Sequence, residues 1–373
     1  MGKYALILAF TYPKIHNSNY ELQSLPSALV DIVMVHKLCL KMGILPHDIT
    51  IVTDIPPMKK LPSELSECNL HRNPYPSDIF VCREICQFIE NTVRGIKDIS
   101  YKNNNDNSPE IFFYISGHGD KLKINDIDNQ GIILTNDDGT SLKYLLSKDI
   151  FNIIFGNFYI DDTGKIEIPT YNKLKILKRI EEDGRNFMKS ENLGIEEKIS
   201  IQLTPTVESP QNSPDIAIKP YRSSYLTHRG IPVLSKMLIV VDTCYSEHMT
   251  YFPYSYDPRS QTMITTSNIN IDVGIDLPYC VTISSCEANK TSTQKDSGSS
   301  LTKILYMNLI GIKTKLTISQ LHYIIYNTKN NVIKELLMTE SAHPIITSTS
   351  ISSEMEIPFF NSNIERVTKV IEK

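Results

Sequence analysis

Apolar residues fall in two rhythms along this chain. One is the short continuous run expected of a strand buried on both faces. The other is the three-to-four spacing of a helix laid on a core. Tyr4 to Phe10 (YALILAF) is a run of the first kind. Thr11 to Glu21 is polar, with Pro13, and reads as a loop. Pro26 to Met42 places Ala28, Val30, Ile32, Val33, Val35, Leu38 and Leu40 mostly at helical spacing, and Gly43 closes it as a helix C-terminal glycine does. Ile49 to Val52 is a second short strand. The opening is therefore a β-α-β unit, the building block of parallel sheets.

The rhythm continues. Ile55 to Pro76 is rich in proline and polar residues and reads as a surface loop. Ser77 to Ile96 reads as a helix, with Ser77 as its N-cap and Asp78 in its first turn. A solvated turn at Lys102 to Ser108 leads into Ile111-Phe112-Phe113-Tyr114-Ile115-Ser116, another buried strand. Alternation from Lys121 to Leu134 fits a hairpin, Asn136 to Gly139 a turn, and Leu142 to Phe155 a helix. From Asp161 to Ile231 the pattern breaks. A charged helical piece, Tyr171 to Asn186, is followed by Pro205, Pro210, Pro214 and Pro220 among polar residues, which reads as an insertion. Met237 to Val241 is again five apolar residues in a row. Glu247 to Asn270 reads as polar loop, Pro278 to Ser284 as a strand, Gly298 to Leu309 and Ile318 to Leu337 as helices, and His343 to Ser348 as an edge strand. The expected fold is α/β: a mostly parallel sheet flanked by helices on both faces. Residues 1–373 form one domain in this reading, with residues 161–231 inserted between two of its strands.

Composition narrows the function. The 373 residues are 41% apolar and 21% charged, ordinary for a globular protein, and the net charge of −4 offers no electrostatic footprint for nucleic acid. No stretch approaches the roughly 20 apolar residues of a membrane helix, and Met1 to Leu6 enters a strand with no signal-peptide pattern. Seven cysteines make an odd set without metal-type spacing, which suits a reducing compartment. Cys82 and Cys86 share one helix face and read as packing thiols.

Two strand ends carry the chemistry. The Met237–Val241 run stops on Asp242, and Cys244 lies two residues later. The Ile111–Ser116 run leads into Gly117-His118-Gly119, where paired glycines let the backbone turn sharply and leave the imidazole exposed. If the two strands are parallel neighbours, thiol and imidazole meet at the rim where open α/β sheets bind ligands. That is the minimum equipment of a cysteine nucleophile and its base.

These residues also resemble a family. Tyr114-Ile115-Ser116-Gly117-His118-Gly119 is similar to the histidine motif of the metacaspases, within the caspase-like cysteine peptidases, and Asp242-Thr243-Cys244-Tyr245-Ser246 is similar to their nucleophile motif. Ala5 to Pro13 with Leu25 to Asp31 and Ile49 to Asp54 resembles their first β-α-β unit. Thr282 to Ser292 resembles their next strand, with its cysteine and later Thr-Ser, and His343 to Phe359 their closing strand. Only about Asp161 to Ile231 lies outside the likeness.

The resemblance implies a caspase-like fold and a cysteine endopeptidase. Cys244 would be the nucleophile, His118 its base, and the Gly119 backbone part of the oxyanion site. It places Asp242, Asp31 and Ser116 in the first specificity pocket, so that cleavage follows Arg or Lys rather than Asp. The chemistry itself requires no cofactor. Calcium, which many metacaspases need, would fall to Asp137, Asp138 and Asp149, although the family's adjacent acidic pair is missing here. Asp120 and Glu247 also depart from the pattern and add negative charge at the rim. An acid beside His118 would favour its charged form. The basic residues Lys173, Lys175, Lys178 and Arg179 make the insertion a candidate self-cleavage segment or, more simply, a solvated helix face. The expected partners are protein or peptide substrates with basic residues, met by a monomer in the cytoplasm, with no nucleic acid and no membrane. The alternative is a catalytically silent binding or regulatory module of the same fold. A lipid-anchor transamidase would need a signal peptide, and none is read here.

Overall fold

The computed structural model describes residues 2–12, 16–17, 20–21, 24–100, 109–124, 127–135, 141–155, 159–160, 166–167, 231, 235–247, 249–250, 252–266, 277–287, 290–292, 294–295, 298–312, 314–336 and 343–360. The chain divides into two units, one of Met1–Glu167 with His228–Lys373, the other Ile168–Thr227. The second unit, and with it the Tyr171–Asn186 segment and its basic residues, lies outside the described residues.

The first unit is built on a nine-stranded sheet. Its parallel part begins with β1 (Lys3–Ala9), β2 (Ile49–Thr53), β3 (Asn69–Arg72) and β4 (Glu110–Ser116). Beside β4 the chain makes a separate antiparallel sheet of β5 (Gly119–Ile124), β6 (Ile127–Thr135) and β7 (Leu142–Leu146). The main sheet resumes with β8 (Lys236–Asp242), β9 (Tyr254–Asp257), β10 (Thr262–Thr265), β11 (Tyr279–Ser284) and β14 (Ile345–Ser348), β12 (Gln294–Lys295) and β13 (Gly298–Ser299) forming a small ribbon. Across the sheet the order is β10-β9-β14-β11-β8-β4-β1-β2-β3. The six strands from β3 to β11 are mutually parallel, and β14, β9 and β10 continue the sheet antiparallel. The sheet is thus mixed: the mostly parallel expectation holds over six strands, and three antiparallel strands extend it at one end.

Every central strand is apolar on both faces because helices cover both. In β1, Ala5, Ile7 and Ala9 join one core while Leu6, Leu8 and Phe10 join the other. Phe112 and Tyr114, Leu238 and Val240, and Val281 and Ile283 fall with the first set, their odd-even neighbours with the second. This is the two-residue pleat written in side chains. Helices α1 (Ser27–Lys41), α4 (Ser300–Leu309) and α5 (Ile318–Leu336) supply residues to the first core, and α2 (Asp78–Ser100) and α3 (Ser147–Phe155) to the second. Ser77 caps α2 as expected, its hydroxyl accepting from Phe80 N at 3.3 Å.

Four further expectations are corrected. Leu142–Leu146 is strand rather than the start of a helix, because β6 offers it a partner edge; the helix starts only at Ser147. The loop expected over Ile55 to Pro76 holds β3, and the loop over Glu247 to Asn270 holds β9 and β10. These strands are four residues long and carry polar side chains, so alternation is too brief to register. The His343–Ser348 strand is not an edge: β9 pairs with it on the side away from β11.

Candidate functional site

Strands β8 and β4 are parallel neighbours in register, Val241 opposite Ile115 and Asp242 opposite Ser116. Two residues past that last pair lie Cys244 and His118, at the same rim of the sheet. The close fit is visible in a glycine. A Cβ on Gly119 would collide with the Cys244 carbonyl oxygen and reach 3.0 Å from Thr243 Oγ1. Only a residue without a side chain lets the two loops meet here.

Cys244 is half-buried, and the other six cysteines are buried. Its sulfur lies 3.8 Å from Ser292 Oγ. Burial pushes the thiol pKa up, and hydrogen bonds from Ser292 offset part of the rise. The next residue, Tyr245, holds a left-handed backbone (φ 56°), and its N–H donates to Lys290 O at 3.0 Å. Such conformations cost energy in non-glycine residues and persist where surrounding structure fixes them. Beneath the loop, Ser246 Oγ accepts from Cys286 N (3.2 Å), while Ser285 Oγ donates to Thr243 O (2.7 Å). The segment after β11 thus cements the cysteine loop.

The pleat decides where Asp242 and Ser116 sit. Both continue the row of Tyr114, Leu238 and Val240, which belongs to the core beneath α1 and α4. Asp31 of α1 is on that same buried side, beside Ala28, Ile32 and Val35. Asp31, Asp242 and Ser116 are all 0% exposed. Asp242 Oδ2 accepts from Ser299 Oγ, from Thr302 N (3.2 Å) and from Thr302 Oγ1 (2.7 Å). Asp31 Oδ1 accepts from Ser299 N at 2.9 Å. The other oxygens, Asp31 Oδ2 and Asp242 Oδ1, are buried without a hydrogen-bond partner, as is Ser116 Oγ. Burial, and then the neighbouring Asp242 charge, push the Asp31 carboxyl up to about 8. Burial also raises Asp242. Lys303 lowers the Asp31 value in part, but two buried carboxyl oxygens on one patch still lack hydrogen-bond donors.

Asp149 is elsewhere. It sits in the first turn of α3, where burial raises its carboxyl to about 6 and Asp78 of α2 acts on it. Asp137 and Asp138 lie outside the described residues. Among the described residues no three His, Cys, Asp or Glu side chains gather as a cation site. Of the three calcium candidates only Asp149 is among the described residues. The Asp120 carboxylate accepts from Lys121 N (2.7 Å) and from Tyr144 OH (3.5 Å), so it serves the β5–β7 sheet. A cleft of about 1220 Å³ between α5, β9 and β14 is lined by none of these residues.

No known family model matches the chain, and no curated protein matches it. Among solved structures, protein GSU0716 from Geobacter sulfurreducens is similar over 97% of this chain and 99% of its own, at 10% identity and a TM-score of 0.49. Caspase-1 from Spodoptera frugiperda is similar over 97% of this chain and 90% of its own, at 11% identity and a TM-score of 0.43. At that overlap neither likeness carries the argument, which rests on the geometry above.

Sequence reasoning missed Ser299 and Thr302, which anchor Asp242. A signal was present: Ser299 caps α4 by accepting from Thr302 N at 3.2 Å, the Ser-x-x-Thr spacing of a helix start. It also missed Tyr12 and Asp54, for which no local pattern exists.

Proposed function

We propose that this chain is a cysteine endopeptidase that hydrolyses peptide bonds after Arg or Lys. The observation that supports it most is one register: Asp242 opposite Ser116. Cys244 and His118 each follow that pair by two residues at the same rim, and the carboxyls of Asp242 and Asp31, buried on one face, keep unpartnered oxygens; both facts support the reading.

In this reading the Cys244 thiolate attacks the carbonyl carbon of the scissile bond, forming a C–S bond and an oxyanion. Backbone N–H groups at Gly119 and Cys244 receive that oxyanion. His118, holding the thiol proton, passes it to the amine as the C–N bond breaks. Water, deprotonated by the same imidazole, then hydrolyses the thioester and Cys244 recovers its proton. The Asp31–Asp242 pair takes the guanidinium or ammonium of the residue before the cut. A planar guanidinium can donate to Asp31 Oδ2, Asp242 Oδ1 and Ser116 Oγ together.

The burial-raised Cys244 thiol favours a second reading, a catalytically silent binding module, because an unactivated thiol is a poor nucleophile. One panel separates them: fluorogenic peptides ending in Arg, Lys or Asp, with and without calcium, on wild type and Cys244→Ala. Hydrolysis of Arg and Lys peptides that vanishes in Cys244→Ala is expected. No turnover in any wild-type condition would favour the silent module.

A further inference from the structure

The support of His118 comes from β1, the strand beside β4 on the side away from β8. Tyr12, just past β1, is 3% exposed, and its ring centroid lies 4.8 Å from that of the imidazole at a 44° tilt. Its hydroxyl accepts from His118 N at 2.9 Å and donates to Ile133 O at 2.8 Å. Ile133 N in turn donates to His118 O at 2.9 Å. Both backbone polar groups of His118 are therefore pinned within one closed set. Gly117 is part of it: a Cβ there would lie 2.6 Å from the Tyr12 oxygen. The two glycines flanking His118 have separate duties, one admitting the Tyr12 hydroxyl, the other the Cys244 carbonyl.

Tyr12 is itself held under load. Its φ is 52°, a backbone region that non-glycine residues rarely occupy. Asp54, just past β2 and 2% exposed, fixes it: Oδ2 accepts from Tyr12 N (2.6 Å), and Oδ1 from Thr11 N (2.6 Å) and Thr11 Oγ1 (2.8 Å). A buried acid that spends its hydrogen bonds on holding a strained tyrosine in place serves what the tyrosine touches.

We infer that Tyr12, clamped by Asp54, is a positioning residue that fixes the His118 backbone and whose ring face favours the charged imidazole. The inference rests on the peptidase reading, in which His118 must carry a proton to the leaving amine. A cation against an aromatic face is stabilised by the ring quadrupole. The titratable groups on the surrounding elements are Asp54 past β2, whose carboxyl burial raises to about 6, Asp120, Lys121 and Tyr144 of the β5–β7 sheet, Asp242, Cys244, Tyr245 and Glu247 of the nucleophile strand and loop, and Asp31 of α1. All but Asp54 remain unchanged in the variants below, and Tyr12→Leu and Tyr12→Phe leave Asp54 in place too.

The test uses the full chain with Tyr12→Phe, Tyr12→Leu, Asp54→Asn and His118→Ala, each checked for cooperative thermal unfolding. Two readouts are taken: the pH profile of Cys244 alkylation by iodoacetamide, and the pH profiles of kcat and KM on an arginyl peptide. Wild type should show a low-pH shoulder of thiolate reactivity that His118→Ala removes. Tyr12→Leu should move that shoulder toward the His118→Ala profile. It should also lower the alkaline limb of kcat/KM by about half to one pH unit. Its kcat should fall by about 10- to 100-fold at nearly constant KM. Tyr12→Phe keeps the ring, so the limb should stay while kcat falls by roughly 5- to 10-fold. Asp54→Asn, a near-isostere, should fall between them. Folded Tyr12 and Asp54 variants with kcat and both profiles within about twofold of wild type would overturn the inference, provided His118→Ala still abolishes the shoulder. An alkylation profile indifferent to His118→Ala would instead overturn the paired-residue reading beneath it.

Discussion

Raising the pH from 6.5 to 8.5 should tighten the grip of the acid pair on a cationic ligand. Asp31 and Asp242 are fully buried and adjacent, so below about pH 8 the empty site keeps a proton. Burial and the Asp242 charge hold the Asp31 carboxyl at about 8. A guanidinium between the two carboxyls requires both to be ionised, so binding expels that proton. Affinity then rises tenfold per pH unit well below 8 and levels off above it. Between pH 6.5 and 8.5 the gain is (1 + 10^1.5)/(1 + 10^−0.5), about 25-fold. The assay is the inhibition constant of a small guanidinium competitor such as agmatine, which reports the pocket and not the reactive pair. Asp31→Asn leaves Asp242 as the pair's one carboxyl and removes the shared proton. Its inhibition constant should therefore change with pH much less than that of wild type. A flat wild-type profile, or an unchanged slope in Asp31→Asn, would refute the shared-proton argument and with it the pairing of Asp31 with Asp242 as a cation site.

The same proton sets a stability signature. The folded Asp31 value of about 8 exceeds the ordinary 3.8, so its contribution is fully present below pH 3.8 and is lost as pH rises through about 8. At pH 7 the difference is about 4 kcal/mol, so Asp31→Asn should unfold at higher temperature than wild type at pH 7 to 9 and near parity at pH 4. Gly119→Ala should cut hydrolysis by about 100-fold and destabilise by about 1–3 kcal/mol, because its Cβ collides with the Cys244 backbone; peptide assays and a denaturation curve check both. Asp242→Ala strips an acceptor from Ser299 and Thr302 inside the core and should cost about 2–4 kcal/mol, measured in urea. Cys244→Ala should abolish hydrolysis while leaving the unfolding free energy within about 1 kcal/mol of wild type, since the side chain is half-buried and its hydrogen bonds are with Ser292.

Where residues carried their own signal, the sequence was readable. The runs in β1, β4, β8 and β11 were visible because a strand covered on both faces must be apolar at every position. α1, α2, α4 and α5 were visible because 3.6 periodicity survives over ten residues or more. Asp31 was reached only through the family resemblance, and its burial beside Ala28, Ile32 and Val35 is a tertiary fact. The short polar strands β3, β9 and β10 were invisible, since four residues cannot establish a period and their partners are distant in sequence. Leu142–Leu146 was misread for the same reason: its apolar residues suit either period, and only the β6 edge selects strand.

The amino-acid sequence alone determined the chemistry on offer: a cysteine and an imidazole, each two residues past a buried strand, with an acid at one strand end. Only the tertiary structure decided what those groups meet. Register put Asp242 across from Ser116, and the pleat turned both toward Asp31, Ser299 and Thr302. Tyr12 met His118 across 106 residues of chain, and Asp242 met Thr302 across 60. Such contacts leave no local trace, because a side chain's neighbours across a sheet are set by which strands pair. That pairing is fixed by the whole core rather than by the residues that meet.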